Sequence, residues 1–173
     1  MFKEDLKNVV AFAFDVDGVF SRHEVSLSPQ GELIRTACAK DGYAMMYCVK
    51  KGYPICIISG GRGPGMRERF ERLGITEIYL GVADKVEVLN EFARKYDLKL
   101  EQVMYMGDDI PDYEVMIRVG MPVCPVDACE EIKAVSRYIS DIPGGMGCVR
   151  DVVSQVLKAK GEWMDTSAHV RSL

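Results

Sequence analysis

The amino-acid sequence predicts a three-layer, Rossmann-like α/β fold with a mostly parallel sheet. Short apolar runs rich in β-branched and aromatic residues alternate along the chain with segments of helical spacing. Such alternation is typical of parallel strands joined by right-handed helical crossovers. The chain has 173 residues, of which 48% are hydrophobic and 28% charged. That size and composition fit one soluble globular domain with a core of its own.

The first half of the chain shows this alternation clearly. Its apolar runs are short enough to be buried strands, and Gly52 and Gly74 end the two helical patterns. Pro64 favours the first turn of the second helix, because a proline there leaves no amide hydrogen unpaired. The predicted elements, in order, are strand 9–14, helix 41–51, strand 55–58, helix 66–73 and strand 77–80.

The second half continues the pattern with shorter strands. Asp84 is a predicted N-cap, Pro111 favours the start of a helix and Gly120 favours its end. The last helix carries apolar residues on one face, as an amphipathic helix against a core does. The predicted elements are helix 84–96, strand 103–106, helix 111–119, strand 122–124, helix 128–135, strand 138–139 and helix 148–160.

Residues 21–40 interrupt the alternation, because they show no helical spacing. Two β-like runs, 24–27 and 33–38, flank a Ser-Pro-Gln-Gly turn, which predicts a β-hairpin inserted after the first strand. We therefore predict one domain at 1–161 that contains this insert, followed by a polar tail at 162–173.

Charge and composition exclude several classes of protein. The net charge is −4 and the pI about 5.3, so the basic footprint of a nucleic-acid-binding or membrane-surface protein is absent. No apolar run is long enough to cross a bilayer, and the first residues are acidic where a signal peptide is basic. We expect a cytoplasmic protein. The six cysteines form no C-x-x-C pair and predict reduced thiols, while His23 and His169 predict surface histidines.

The residues that carry chemistry follow the predicted strands. Ligands of open α/β sheets bind outside the carboxyl ends of the strands, so side chains at those ends are expected to meet. The first four strands are followed by Asp15 and Asp17, by Ser59 and Gly60, by Lys85, and by Asp108, Asp109 and Asp112.

Each of these features alone has an ordinary structural explanation. Asp112 at a helix start is favoured by the helix dipole, and Lys85 fits a solvated first helical turn. Their combination is harder to explain by structure alone. Two acidic clusters at neighbouring strand ends repel each other unless one is protonated or binds a cation. Mg²⁺ binds a few carboxylates together with a phosphate, and glycine amides, a hydroxyl and a lysine suit that phosphate. The sequence thus predicts a site for Mg²⁺ and a phosphate.

The spacing of Asp15 and Asp17 predicts a reaction. Asp15 at the strand end can attack phosphorus in line with the leaving oxygen and form an acyl phosphate. Asp17, two residues further on, can protonate that oxygen and later deprotonate water. Mg²⁺ and Lys85 are expected to neutralise the phosphoryl oxygens.

These residues, in this order, resemble the four motifs of the haloacid dehalogenase superfamily of phosphatases: Asp15-Val16-Asp17-Gly18-Val19, Ser59, Lys85, and Gly107-Asp108-Asp109 with Asp112. The resemblance implies that Asp15 is the nucleophile and Asp17 the acid/base. It further implies that Asp15, the Asp17 carbonyl and Asp108 ligate Mg²⁺, that Ser59, Gly60 and Lys85 hold the phosphate, and that Asp109 and Asp112 support them.

The segments between these motifs are too short for a cap domain. The hairpin occupies the first gap, and the second holds one helix and one strand. This is similar to the capless branch of the superfamily, whose members are homotetramers with a central barrel of hairpins and a neighbour covering each site. Further similarities are Lys40-Asp41-Gly42, Gly81-Val82-x-x-Lys85, and Gly144-Gly145-Met146-Gly147 with Arg150.

Resemblance to that branch implies an acidic keto-deoxy sugar phosphate as substrate and a place in lipopolysaccharide biosynthesis. Relatives that act on nine-carbon acids can carry an acidic residue at the position of Gly61. Gly61 therefore favours the eight-carbon 3-deoxy-D-manno-octulosonate 8-phosphate, with a nine-carbon substrate as the alternative. Arg62 is the first candidate for binding the substrate carboxylate, and Lys40 and Asp41 are further substrate-binding candidates.

Two other classes of protein remain open at this point. A receiver domain of a signalling relay also has acids at strand ends, a lysine and Mg²⁺. It takes its phosphate on an Asp of the third strand, whereas this chain has Tyr79-Leu80-Gly81 there. A phosphatase-like fold kept as a structural partner is the second alternative, and the intact motif acids argue against it.

Overall fold

A six-stranded parallel sheet forms the centre of the molecule. The computed structural model describes residues 2–165, and the eight strands in chain order are β1 Ala11–Phe14, β2 Ser26–Leu27, β3 Leu33–Ile34, β4 Ile55–Ser59, β5 Glu77–Leu80, β6 Val103–Met106, β7 Met121–Cys124 and β8 Tyr138–Ile139. The sheet order is β5-β4-β1-β6-β7-β8, and every pair in it is parallel. The separate pair β2 and β3 is the antiparallel hairpin.

Helices cover both faces of this sheet. They are α1 Phe2–Lys7, α2 Ala39–Lys50, α3 Pro64–Arg72, α4 Lys85–Lys95, α5 Tyr113–Met116, α6 Glu130–Val135 and α7 Cys148–Ala159. Alternate residues of β1 divide the core, with Phe12 and Phe14 in one cluster and Ala11 and Ala13 in the other. Residues of α2, α3 and α7 pack in the first cluster, and residues of α4, α5 and α6 in the second. The predicted three-layer α/β fold is confirmed.

Most predicted elements are confirmed, with three local differences. The helix α1 and a short 3-10 turn at Leu100–Gln102 were not predicted. The predicted helix 111–119 is only a 3-10 turn and the four-residue α5. After α5 the Arg118 amide donates to the Val115 carbonyl and the Gly120 amide to the Leu100 carbonyl, so α-helical hydrogen bonding does not continue to 119.

The predicted hairpin is present but much shorter than its sequence pattern. Each strand pairs over two residues only, and the Ser28 hydroxyl accepts hydrogen bonds from the amides of Gln30 and Glu32 in the turn. The apolar side chains of the hairpin are exposed, Leu27 by 70% and Ile34 by 54%. A two-stranded ribbon with no face packed on a core is marginally stable, which accounts for the short pairing.

The start of the predicted tail packs onto the domain. The Tyr47 hydroxyl donates to the Glu162 carbonyl over 2.8 Å, and the Trp163 ring lies 5.1 Å from the Tyr47 ring and 4.8 Å from the Arg150 guanidinium. The rest of the tail, 166–173, which includes His169, lies outside the described residues. The domain boundary at 161 stays a prediction.

All six cysteines are free thiols, as the sequence predicts. Four of them, Cys48, Cys56, Cys124 and Cys148, are buried. Among residues 2–165, none of the helices has the length and apolar character needed to cross a membrane.

Asp41 joins two helices and does not face an open cleft. It lies in the first turn of α2 with 1% of its surface exposed, and its Oδ1 accepts a hydrogen bond from the Arg150 amide at the start of α7 over 2.7 Å. Its Oδ2 is buried without a hydrogen-bond partner. That Asp41 binds substrate stays a prediction, and one oxygen of its carboxylate is engaged by α7. Its neighbour Lys40 is exposed.

We predict that Asp41→Asn changes how stability depends on pH. Burial raises the pKa of Asp41 to about 6 against the opposing effects of the Arg150 amide, Cys38 and the Arg150 guanidinium. A raised pKa means that the folded state binds the proton more tightly, so ionised Asp41 lowers stability above pH 6 and the loss disappears as the pH falls toward 4. The asparagine variant should gain stability relative to wild type as pH rises from 5 to 7, by roughly 1–1.5 kcal/mol, because the rest of the effect falls between pH 4 and 5.

Urea unfolding of both proteins at pH 5, 6 and 7 checks this prediction. Other titrating groups are common to both proteins and cancel in the difference. A difference in unfolding free energy that stays flat over this range would contradict it.

Candidate functional site

Three acidic side chains meet at the carboxyl edge of the sheet. Because β4, β1 and β6 are neighbours, the residues that follow them lie side by side. Carboxylate oxygens of Asp15, Asp108 and Asp112 lie within 4.8 Å of one another, and all three residues are buried. They line a cavity of about 540 Å³. This acid-lined cavity also contains Asp17, His23, Ser59, Gly60, Gly61, Lys85 and Asp109.

Lys85 lies between two of these acids. Its Nζ is 2.9 Å from Asp15 Oδ1 and donates to Asp112 Oδ1 over 2.7 Å. Asp84 caps α4 as predicted, because its side chain accepts hydrogen bonds from the amides of Val86 and Glu87. The cap makes Lys85 the first residue of α4 and fixes the point from which its side chain enters the site.

The Asp112 carboxylate accepts three hydrogen bonds. Its Oδ1 accepts from Lys85 and from the Tyr105 hydroxyl over 2.6 Å, and its Oδ2 accepts from the Asp108 amide over 3.0 Å. A side chain at Gly107 would collide with it. Asp112 therefore orients Lys85 and the loop that carries Asp108, while Asp15 and Asp108 are left to face a ligand.

The negative charges of these acids are not fully compensated by neighbouring groups. Burial, and then repulsion from Asp112, raise the pKa of Asp15 to about 7 although Lys85 opposes the shift. Burial and repulsion from Asp15 raise the pKa of Asp108 to about 8. Asp15 Oδ1 is buried with no hydrogen bond beyond its ion contact with Lys85. Crowded carboxylate oxygens of this kind fit a hard divalent cation, which would remove the repulsion between them.

Gly18 allows the first loop to approach Asp108. It has a φ of +81°, and a Cβ atom there would overlap Asp108 Oδ2. A Cβ atom at Gly144 would overlap the Gly18 carbonyl, so the predicted Gly-rich loop packs against the same point. Both contacts require glycine, and they hold the loop after β1 against the Asp108 loop.

The turn after β4 is fixed by its own backbone. The Ser59 hydroxyl accepts a hydrogen bond from the Gly61 amide over 3.0 Å, and the Ser59 and Gly61 carbonyls accept from the amides of Val82 and Gly81. Ser59 is buried, and both Ser59 and Gly60 line the acid-lined cavity. The residues predicted to hold a phosphate are thus next to Asp15 and Lys85.

The predicted substrate-binding residues are not brought together with the acids. Arg62 is exposed, and its guanidinium lies over Gly81. It lines a second cavity, of about 550 Å³, between the hairpin and α3, which we name the hairpin cavity. Lys40 and Asp41 line neither cavity.

His23 belongs to the site although the sequence favoured a plain surface histidine. Its Nδ1 lies 3.2 Å from Asp108 Oδ2 and its Nε2 lies 3.3 Å from Asp127 Oδ2. The side chain is 44% exposed, as expected of a surface histidine, and it also contacts the acids of the site, which the sequence did not predict. Its position in the loop that follows Asp15 and Asp17 could have indicated this from the sequence.

Arg35 is the second residue that sequence reasoning missed. It lies one residue beyond β3, and its Nε and Nη2 donate to Asp17 Oδ1 over 2.6 Å and to Asp17 Oδ2 over 3.0 Å. Its side chain is only 12% exposed. The contact depends on where the hairpin returns to the domain, and residue spacing does not reveal that.

Comparisons with known proteins agree with this geometry. Residues 70–143 match the haloacid dehalogenase-like hydrolase family. The chain is 34% identical over 153 residues to the 3-deoxy-D-manno-octulosonate 8-phosphate phosphatase of Yersinia pestis, covering 88% of this chain and 82% of that protein.

Solved structures of similar proteins superpose closely on this chain. A crystal structure of the same enzyme from Yersinia pestis has a TM-score of 0.90 at 32% identity and covers 92% of this chain and 86% of that one. The Moraxella catarrhalis enzyme in complex with a magnesium ion, a phosphate ion and a KDO molecule has a TM-score of 0.87 at 31% identity, with 91% and 90% covered.

We predict that Gly18→Ala weakens divalent cation binding. A Cβ atom at position 18 would overlap Asp108 Oδ2 and displace this carboxylate from the cation site, while the strain of the left-handed conformation, about 1–2 kcal/mol, lowers stability with or without the cation. Affinity for Mg²⁺, measured by isothermal titration calorimetry, should fall by roughly tenfold or more, which corresponds to about 1.4 kcal/mol.

Gly65→Ala is the matched control for this experiment. A Cβ atom at Gly65 would meet nothing within 4 Å, and its φ is negative. Its Mg²⁺ affinity should equal that of wild type. Unchanged Mg²⁺ affinity in the Gly18 variant would mean that the acids of this edge are not the cation site.

Proposed function

The chain belongs to the family of haloacid dehalogenase-like hydrolases, and from that premise we propose that it is a phosphatase acting on 3-deoxy-D-manno-octulosonate 8-phosphate. The observation that carries the proposal is the Asp15–Lys85–Asp112 chain of ion pairs with Asp108 alongside. It supplies a nucleophile, a cation for the phosphoryl group and acids for a metal ion within one cavity. The similarity to enzymes of this name over some nine-tenths of the chain supports the substrate.

We propose Mg²⁺ as the metal. Asp15 and Asp108 would hold it, together with the Asp17 carbonyl. Their oxygens are the ligands that Mg²⁺ prefers, and the Moraxella catarrhalis relative is described in complex with a magnesium ion. When bound, the ion neutralises phosphoryl oxygens and offsets the repulsion between the two carboxylates.

Asp15 carries the covalent step. Its carboxylate oxygen bonds to phosphorus as the bond from phosphorus to the sugar oxygen breaks, and that electron pair leaves with the sugar oxygen. Asp17 supplies the proton that this oxygen needs. Asp17 then accepts a proton from water, whose oxygen attacks the aspartyl phosphate, so inorganic phosphate leaves and Asp15 is regenerated. Lys85 and the Ser59 turn hold the phosphoryl group through both steps.

The nine-carbon acid phosphate remains the second candidate substrate. Enzymes that act on the two substrates are expected to differ in the residue at position 61. A Cβ atom there would lie 3.1 Å from Asp17 Oδ2. A side chain at 61 would therefore enter the site beside Asp17. Its absence favours the eight-carbon substrate. Membership of a hydrolase family removes the receiver-like alternative.

A phosphate-release assay tests the proposal. We expect wild-type protein with Mg²⁺ to release phosphate from the eight-carbon substrate with a higher kcat/KM than from the nine-carbon analogue or glucose 6-phosphate, and excess chelator to stop the reaction. Asp15→Asn should abolish turnover, because an amide cannot form the acyl phosphate. Asp17→Asn should lower kcat by about 10²–10⁴-fold.

The outcomes of this assay separate the parts of the proposal. Near-normal turnover by Asp15→Asn would disprove the covalent step. A clear preference for the nine-carbon substrate would reverse the substrate choice. A kcat/KM for glucose 6-phosphate equal to that for the eight-carbon substrate would contradict the proposal that the substrate is an acidic sugar phosphate.

We also propose that the protein is a homotetramer assembled through the hairpin. The hairpin leaves Val25, Leu27, Leu33 and Ile34 exposed by 41% to 70%. Joining hairpins of several copies into a barrel buries these side chains and pairs the open strand edges. Within residues 2–165 no segment covers the site as a lid, and a neighbouring copy would supply one.

We predict that Leu27→Lys with Ile34→Lys produces smaller species. Charges in a buried barrel are unfavourable, so light scattering should show loss of the tetramer, and kcat/KM should fall with it. Ile117→Lys with Ile139→Lys is the matched control, because these residues are also exposed, by 49% and 39%, but lie away from the hairpin. A wild-type protein that is monomeric at micromolar concentration yet fully active would overturn the proposal.

A further inference from the structure

Arg35 makes a two-pronged hydrogen-bonded contact with Asp17, the proposed acid/base. Its Nε and Nη2 each donate to one oxygen of the Asp17 carboxylate, over 2.6 and 3.0 Å, and its Nη1 donates to the Arg62 carbonyl over 3.4 Å. The Ser21 hydroxyl also donates to Asp17 Oδ1, over 3.2 Å. Both oxygens of Asp17 are therefore engaged.

The surroundings of Arg35 are shaped for this contact. A Cβ atom at Gly61 would lie 2.8 Å from Arg35 Nη2, so the absence of a side chain at 61 makes the room for the guanidinium. On a hairpin whose apolar side chains are mostly in solvent, the charged Arg35 is 12% exposed while Ile34 beside it is 54% exposed. This reversal of the usual pattern indicates that the arginine is placed inward for a specific contact.

The contact conflicts with the proposed role of Asp17. To exchange a proton with the leaving oxygen or with water, Asp17 must direct a carboxylate oxygen at that partner within hydrogen-bond distance. Arg35 and Ser21 take three of the roughly four acceptor positions of this carboxylate, and the two-pronged Arg35 contact fixes its orientation. The Arg35 contact must open before Asp17 can act, and an arginine that gives up a two-pronged carboxylate contact needs another anion in exchange.

The space into which Arg35 can move is present. Arg35 also lines the hairpin cavity, which adjoins the Asp17 contact. The guanidinium can therefore turn away from Asp17 without displacing the core. A carboxylate is the anion whose planar shape best matches a guanidinium.

We infer that Arg35 is a specificity-determining residue: it pairs with Asp17 in the free protein and is drawn away by the carboxylate of the substrate. This inference rests on the proposed function, since it requires a phosphate ester that also carries a carboxylate. A neutral sugar phosphate offers no such group near Arg35, so Asp17 stays paired and turnover is slow. The enzyme thus distinguishes acidic from neutral substrates in two ways. An acidic substrate binds more tightly, and it also frees the Asp17 carboxylate from Arg35.

The test compares two substrates and three variants. Phosphate release from 3-deoxy-D-manno-octulosonate 8-phosphate and from glucose 6-phosphate is measured for wild type, Arg35→Ala, Arg35→Lys and Arg69→Ala. Arg69 is the matched control, because it lines the same cavity but its guanidinium lies over Gly42 and not at Asp17.

We expect Arg35→Ala to lower the ratio of the two kcat/KM values by roughly tenfold or more, the size of a hydrogen bond to a charged group. The loss should fall on the acidic substrate, while kcat for glucose 6-phosphate stays equal or rises. Arg35→Lys keeps the charge without the fork and should give an intermediate ratio. Arg69→Ala should keep the wild-type ratio.

Several outcomes would overturn the inference. An equal loss on both substrates in Arg35→Ala would show that Arg35 only orients Asp17. If that variant does not fold, an unchanged ratio in Arg35→Lys is the contradicting result. If wild type releases phosphate from neither substrate, the proposed function fails instead. Calorimetry with unphosphorylated 3-deoxy-D-manno-octulosonate then decides, because equal affinity for wild type and Arg35→Lys contradicts the carboxylate contact.

Discussion

The site depends on the close approach of three carboxylates to a single lysine where little water reaches them. Asp15, Asp108 and Asp112 are buried, and Lys85 contacts two of them. Three potential negative charges against one positive charge are unfavourable at low dielectric unless a proton or a cation completes the group. The same deficit gives the edge its affinity for a divalent cation and for a phosphoryl group that arrives with one. Catalytic capacity and electrostatic strain therefore have the same origin.

The surrounding fold prevents this group from relaxing. β1 is central in the sheet and its side chains are buried on both faces, so Asp15 cannot retreat from the edge. Asp112 is held by three separate donors and holds the Asp108 loop in turn. Gly18 lets the neighbouring loop close over Asp108. Acids that would move apart in a flexible loop are kept together by backbone contacts made elsewhere.

Patterns local in sequence were predictable, and contacts between distant segments were not. The strands and the residues after them follow from apolar runs and from the rule that ligands bind at the carboxyl edge. The Gly120 amide, which follows α5, donates to the Leu100 carbonyl, a contact that no local pattern contains. From the sequence, Asp41 is a polar residue at the start of a helix. Only the packing of α7 shows which way its side chain faces. Arg35 reaches Asp17 because the hairpin folds back over 18 residues.

The packing of Trp163 on the domain gives the molecule a built-in optical reporter. Trp163 is the only tryptophan in the sequence, and its ring contacts both the Tyr47 ring and the Arg150 guanidinium. Arg150 is also the residue whose amide binds Asp41, so the indole senses the junction of α2 with α7. Its fluorescence therefore follows the docking of residues 162–165 on that junction and says little about the sheet. A change in emission without a change in far-ultraviolet circular dichroism would record the release of residues 162–165 while the domain stays folded.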